Sequence, residues 1–189
     1  MLINKVRAVN EIYRVLEKET KFFKRAAGIE CFQGCNECCR YRDIEATILE
    51  FLPAAFILYK SGRAEELLQR INSVNDTGIC VFFNPFLNFG GCSVYVQRGL
   101  ICRLFGFAAR TDKNGKPYLI SCKKIKSVIQ PDMLLKNIVN APLSTAYYMK
   151  LFGIDPKLAL PYYPINQAIQ KAVELVMFQN QFRKRKKAS

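Results

Sequence analysis

The sequence of 189 residues contains no histidine. This absence excludes Ser-His-Asp and Cys-His nucleophilic mechanisms, HExxH metalloproteases and every metal site that mixes histidine with cysteine. Acidic residues are also scarce, because 15 Asp and Glu stand against 29 Lys and Arg and leave a formal net charge of +14. An excess of this sign favours acidic partners, although it says nothing about the fold.

Long apolar runs are missing as well. The longest apolar stretch, residues 48–59, contains Glu50 and Pro53 and is too short to span a bilayer. Residues 1–24 carry charges throughout, so they lack the apolar segment of a signal peptide. We therefore expect a cytoplasmic protein with no transmembrane segment, whose reduced cysteines serve as metal-binding or redox groups. For an exported chain, a disulfide framework would be the alternative.

Apolar residues that recur at helical spacing are present at both ends of the chain. They predict helices over residues 2–26, 47–60, 63–74, 132–140, 144–152 and 165–183. The middle, residues 75–122, is rich in Gly, Asn and aromatic residues and has a turn at residues 113–116. Short β-like pieces of the middle are residues 79–83, 92–96 and 118–121.

This pattern predicts one α+β domain over residues 1–189, predominantly helical, with an irregular cysteine-rich metal-binding centre. An N-terminal helix covers residues 1–27, the cysteine region covers residues 28–123, and helices with a basic tail cover residues 124–189. Half of the residues are hydrophobic, which is enough to bury a core.

All eight cysteines fall within one window of the chain, which is the main signal of the sequence. They are Cys31, Cys35, Cys38, Cys39, Cys80, Cys92, Cys102 and Cys122. A metal ion needs several thiolates at about 2.3 Å, and closely spaced cysteines supply them at a small entropic cost. The adjacent Cys38 and Cys39 would point about 100° apart on a helix. They therefore serve two metal centres, or one of them is a ligand while the other packs.

Three segments carry a family resemblance. They read Cys31-Phe-Gln-Gly-Cys35-Asn-Glu-Cys38-Cys39, then Cys80-Val-Phe-Phe, then Gly91-Cys92-Ser-Val-Tyr95-Val-Gln-Arg98-Gly-Leu-Ile-Cys102-Arg103. Their order and spacing resemble the CxxCxxCC cysteine-cluster family, also called YkgJ-type, which is described as zinc- or iron-chelating. The first gap departs from the family pattern by having three residues. Gly99 stands in place of the usual proline, and we expect it to loosen the turn before Cys102.

The resemblance implies that all eight cysteines form the metal site, with zinc or an iron–sulfur cluster such as 4Fe–4S as the cofactor. Flagellin lysine N-methylases share the cysteine pattern, so a cluster-dependent enzyme, either a protein methyltransferase or an oxidoreductase, is an alternative by analogy. A metal-stabilised adaptor for an acidic partner is another. Cations near the cysteines would stabilise thiolates. These cations are Arg40, Arg42, Arg98, Arg103, Lys123 and Lys124.

Two further motifs point to other functions. Cys31, Cys35 and Cys38 have the spacing of radical S-adenosylmethionine enzymes, but Glu37 stands where those enzymes usually carry an aromatic residue, and no repeated βα pattern follows. The basic tail, residues 183–187, could bind an acidic protein, nucleic acid or anionic lipid, or remain solvated. The oligomeric state is left open by the sequence.

Overall fold

The computed structural model describes residues 1–31, 37–39, 41, 44–73, 78–86 and 91–188. Its α-helices are α1 (Leu2–Ala27), α2 (Ile48–Lys60), α3 (Ala64–Ser73), α4 (Leu100–Leu104), α5 (Lys123–Val128), α6 (Pro131–Asn137), α7 (Ser144–Ile154), α8 (Pro156–Ala159) and α9 (Ile165–Ala188). Short 3₁₀ helices cover Glu37–Cys39, Tyr95–Gln97 and Ile138–Asn140. The strands are β1 (Glu45–Thr47), β2 (Ala108–Thr111), β3 (Pro117–Ile120) and β4 (Tyr162–Pro164). The predicted predominantly helical α+β fold is confirmed.

Helix α2 lies at the centre of the main hydrophobic core. Apolar side chains surround it on most sides, as is typical of a helix that neighbouring elements cover. It packs between α1, which contributes Val9 and Leu16, and α9, which contributes Ala172 and Val176. The predicted long amphipathic helices at the two ends of the chain therefore meet on one central helix.

Two small antiparallel sheets complete the fold. Strand β1 pairs with β4, with Thr47 opposite Tyr162, and these strands lead directly into α2 and α9. Strands β2 and β3 form a hairpin with Ala108 opposite Ile120. Its turn uses Gly115 at a φ of 77°, a conformation that glycine adopts without steric cost. The predicted turn and the last of the three β-like pieces are thus confirmed.

The prediction of β-structure at the other two pieces, residues 79–83 and 92–96, is wrong. They form turns and a 3₁₀ helix, joined only by a bridge between Phe83 and Cys92. The backbone N–H of Phe83 bonds to the carbonyl of Cys80, and that of Gln97 bonds to the carbonyl of Val94. The N–H of Ser93 donates across the bridge to the carbonyl of Phe82, but the donors used within local turns are not available to extend the bridge into a strand ladder.

A separate second core forms beside the end of α1, between the β2–β3 hairpin and α5. Its buried members are Phe23, Ala27, Ile29, Phe107, Ala109, Cys122, Ile125, Ile138 and Ala141. The main core, by contrast, contains Cys80 as a buried member and has Cys92 and Cys102 packed against it. The cysteine window therefore touches both cores.

Helix α9 continues to Ala188, past the predicted end at residue 183. Neither α9 nor any other helix within the described ranges combines the length and the apolar character that crossing a bilayer requires.

Candidate metal centre

Separate chain segments bring five of the predicted ligands into one neighbourhood. Cys38 and Cys39 lie on the 3₁₀ helix Glu37–Cys39, close to the predicted helical turn. Cys80 lies in a turn after α3, Cys92 forms a backbone β-bridge with Phe83, and Cys102 lies on α4. We call these five residues the thiol cluster: Cys38, Cys39, Cys80, Cys92 and Cys102.

Charges within the thiol cluster act on one another. Burial raises the pKa of Cys80 to about 12, and negative charge at Cys92 and Cys38 also acts to raise it. Burial likewise raises the pKa of Cys102 well above its ordinary range, and the charge of Cys80 adds to the effect. Thiolates placed this close repel one another, and a bound cation relieves that repulsion.

The vicinal pair shows the strongest mutual influence. The Sγ atoms of Cys38 and Cys39 lie 4.0 Å apart, within hydrogen-bond distance for sulfur. Their hydrogen bond lowers the pKa of Cys38 to about 7 and raises the pKa of Cys39. The pair therefore forms a first thiolate readily and resists a second one.

Arg98 supplies positive charge and an unused donor beside the cluster. Its guanidinium lowers the pKa of Cys38, where the bond from Cys39 has the larger effect. The guanidinium carbon lies 4.3 Å from the centre of the Tyr95 ring. The buried Nε of Arg98 finds no acceptor within the part of the chain that the structure describes. An anionic thiolate–metal centre offers acceptors of the kind that this N–H needs.

The remaining cysteines have other positions. Cys122 is buried in the second core, where its sulfur accepts the backbone N–H of Ile125 at 3.4 Å and caps α5. Cys31 is exposed just after α1. Cys35 lies outside the described residues, as do the predicted cations Arg40 and Arg42. Six described cysteines are thiols and not disulfides: Cys38, Cys39, Cys80, Cys92, Cys102 and Cys122.

The loosening of the turn before Cys102 by Gly99 stays a prediction, and the structure shows close packing at this position. A Cβ atom at this position would lie 2.7 Å from the Cζ atom of Phe51 and 3.1 Å from an Oε2 atom of Glu50. The ring of Phe51 thus packs against the backbone where any larger residue would collide with it. The missing Cβ permits close packing between the start of α4 and α2.

Glu50, which in the sequence only interrupts an apolar run, is a further functional candidate in the structure. Its side chain is fully buried and accepts hydrogen bonds from the Thr47 N–H at 2.7 Å and from the Ile101 N–H at 2.8 Å. Burial raises the pKa of Glu50 to about 7, although these N–H donors oppose the rise. The Thr47-x-x-Glu50 spacing, a capping box before an apolar run, was the signal that could have singled it out.

Asn166, at the start of α9, is a second missed residue. Its Oδ1 accepts the backbone N–H of Val81 at 2.8 Å, and its Nδ2 donates to the carbonyl of Ile79, also at 2.8 Å. These two bonds flank Cys80 on both sides. One side chain of the helical scaffold therefore holds the turn that presents this thiol.

Within the described ranges, no three Cys, Asp or Glu side chains are already placed to hold one ion together. The thiol cluster is a shared neighbourhood whose final coordination geometry would form with the metal, as is common at sites where binding and folding are coupled. Its donor set is chemically consistent with soft thiolate ligation of zinc or iron. The unpaired Nε of Arg98 agrees with an anionic centre at the same place.

The comparisons with known proteins agree with this donor set. Residues 30–124 match the family model CxxCxxCC, which is described as a putative zinc- or iron-chelating domain. No curated protein and no solved structure shows significant similarity to the chain. The match covers just over half of the chain and includes all eight cysteines. The chain belongs to the CxxCxxCC family.

Proposed function

We propose that the chain binds zinc or an iron–sulfur cluster at the thiol cluster, and that this centre holds the loops of the main core in place. The observation that carries the proposal is the convergence of five cysteines, from segments before α2, after α3 and on α4, into one group whose charges interact. Cys35, three residues before Cys38, is a further ligand candidate.

An iron–sulfur cluster is the preferred cofactor within this proposal. A structural zinc ion takes four ligands, whereas the thiol cluster alone offers five thiols and the chain has no histidine. Thiolates accept both metals, so this numerical argument favours one larger cluster or two centres. When bound, zinc supplies a structural cross-link, and an iron–sulfur cluster adds electron transfer.

Anaerobic purification tests the proposal directly. We expect at least one equivalent of zinc or iron per chain by elemental analysis, and an iron–sulfur cluster would also give a visible absorption spectrum. A freshly prepared sample with eight titratable thiols and no stoichiometric metal would contradict the proposal.

The vicinal pair distinguishes one centre from two. If Cys38 and Cys39 bind different ions, Cys38→Ser and Cys39→Ser should each remove half of the metal. If one centre uses a single member of the pair, one substitution should abolish binding and the other should change little. Unchanged metal content in both variants would mean that the pair only packs.

A further inference from the structure

The helical scaffold contacts the backbone beside two members of the thiol cluster through polar side chains. Glu50 on α2 accepts the N–H of Ile101, the residue before Cys102. Asn166 on α9 bonds to the residues on both sides of Cys80. Neither residue is a cysteine or belongs to the cysteine motif. Asn166 bonds to a turn, and Glu50 bonds to the first turn of the five-residue helix α4.

The position of Glu50 carries a free-energy cost, because its carboxyl group lies away from water. Its side chain is fully buried, and no Lys or Arg within the described ranges forms an ion pair with it. Burying a carboxylate in this way is unfavourable unless hydrogen bonds compensate for it. The Thr47 N–H and hydroxyl bind Oε1 at 2.7 and 3.1 Å, and the Ile101 N–H binds Oε2 at 2.8 Å. The two oxygens therefore join the start of α2 to the first turn of α4.

We propose that Glu50 and Asn166 are positioning residues for the metal centre, which orient Cys102 and Cys80 so that their thiols face the rest of the thiol cluster. This inference rests on the proposed function, because it assumes that the thiol cluster binds metal. Partners that orient metal ligands typically account for 10–100-fold in metal affinity.

The surroundings of Glu50 support a role in placement. Gly99 leaves room for Glu50 and the Phe51 ring to approach the backbone at the start of α4. The Tyr13 hydroxyl donates to the main-chain carbonyl of Glu50 at 2.7 Å, and the Arg103 guanidinium stacks on the Tyr13 ring at 4.5 Å. Helix α1 thus also fixes the segment that carries Cys102.

The chemistry of the side chains predicts which substitutions at Glu50 lose the two hydrogen bonds from Thr47 and Ile101. Glu50→Gln replaces one acceptor oxygen with an NH₂ donor, so it cannot accept from both Thr47 and Ile101. Glu50→Asp is one methylene shorter and cannot span the same gap. Thr47→Val is the matched control, because it removes the hydroxyl, both as a donor to Oε1 and as the acceptor in the capping box, and leaves the bond from the Ile101 N–H to Oε2.

Titration of the metal-free full-length chain with Co²⁺ tests the proposal, since thiolate-to-cobalt absorption grows with the number of bound thiolates. We expect Glu50→Gln to bind Co²⁺ about 10–100-fold more weakly and to lose the absorption of one thiolate, as Cys102→Ser does. Asn166→Ala should likewise show the same loss of Co²⁺ affinity and of one thiolate's absorption as Cys80→Ser. Thr47→Val should keep the full absorption.

A double variant separates placement from general stability. If Glu50 acts through Cys102, Glu50→Gln combined with Cys102→Ser should bind Co²⁺ like Cys102→Ser alone. A merely structural role would lower stability in all variants and leave the thiolate absorption unchanged. Full wild-type absorption in Glu50→Gln and Asn166→Ala, or in Cys102→Ser and Cys80→Ser, would overturn the inference. A wild-type chain that binds no cobalt through thiolates would instead overturn the proposed function.

The wild-type chain provides a second measurement in case a variant does not fold. Zn²⁺ added to the ¹⁵N-labelled chain should shift the amide resonances of Ile101 and Val81 and slow their hydrogen exchange, because the donors to Glu50 and Asn166 become fixed with the thiols. Zinc binding that leaves both amides unchanged would count against the inference.

Discussion

The thiol cluster and the second core both contain buried cysteine, but its surroundings differ between the two regions. The neighbours of Cys80 include other thiols, and burial raises its pKa to about 12. The neighbours of Cys122 are apolar side chains such as Phe23 and Ile125, and its sulfur caps α5. A cysteine in such surroundings is a small apolar residue with a weak acceptor. Burial therefore does not identify a metal ligand, whereas the proximity of several thiols indicates one.

Metal removal should separate the two regions most strongly. Because binding energy at such sites is also folding energy, chelation should reduce amide protection in residues 78–86 and 91–104 by about 100-fold or more. The β2–β3 hairpin and α5, which pack in the second core, should change by less than about tenfold. Hydrogen exchange with mass spectrometry measures both regions in one experiment. Equal loss of protection in both would remove the distinction between them.

Substitution of one cysteine from each region gives the next largest contrast. Cys102→Ala should weaken metal binding by at least about 10–100-fold, because it removes a ligand candidate of the thiol cluster. Cys122→Ala should retain the metal and lower the free energy of unfolding by about 1 kcal/mol, since a helix cap is lost. Metal analysis and denaturant titration check the two outcomes. Loss of metal from the Cys122 variant would place that residue among the ligands.

The raised pKa values predict opposite pH dependences for the metal-free and metal-bound chains. In the metal-free chain Cys80 stays protonated in the fold up to about pH 12, while an unfolded cysteine ionises near about pH 8.5. The free energy of unfolding should therefore fall as pH rises between these values, because the unfolded state then binds fewer protons.

Metal affinity should change in the other direction. Each protonated thiol that becomes a ligand releases a proton, so the affinity should rise about tenfold per pH unit for each such thiol. Denaturant titrations and metal competition from pH 6.5 to about 9.5 check both trends. The variant Cys80→Ala should lose the share of one thiol in the pH dependence of the metal-free chain, because Cys39 and Cys102 also have raised pKa values and keep their shares. An unchanged slope in this variant would assign the effect to other groups.

The smallest expected effect concerns Arg98. Arg98→Lys keeps the positive charge but removes the buried Nε donor, and we expect metal affinity to fall by about tenfold, the value of one charge-assisted hydrogen bond. Arg110→Lys, on the exposed part of β2, is the matched control and should leave the affinity unchanged. Competition titrations of the two variants measure the difference. Equal affinities would mean that the Nε of Arg98 does not interact with the centre.

The sequence predicted the features that depend on local periodicity. Helices α1, α2 and α9 follow from apolar spacing, since each has enough turns for the pattern to be read. Strands β1 and β4 were missed because each has only three residues and its partner lies far along the chain. The pieces at residues 79–83 and 92–96 have β-forming composition, but local turns use donors such as the Phe83 N–H, and only one bridge forms between the two pieces.

The candidate site shows the same limit. The family resemblance implied that the cysteines are ligand candidates, but their spacing could not show that Cys122 packs in a different core from Cys80. That separation depends on how the β2–β3 hairpin folds against α1. The roles of Glu50 and Asn166 also depend on long-range contacts, because each side chain bonds to backbone more than fifty residues away in sequence.

The pairing of β1 with β4 has a consequence for the order of folding. More than one hundred residues separate Thr47 from Tyr162, so this sheet closes a long loop and raises the contact order of the fold. A metal bound between Cys39, which precedes β1, and Cys80, which follows α3, would cross-link a much shorter loop around α2 first. The entropic cost of the later closure would then be smaller. We expect the rate of folding, and not only the final stability, to depend on the availability of metal.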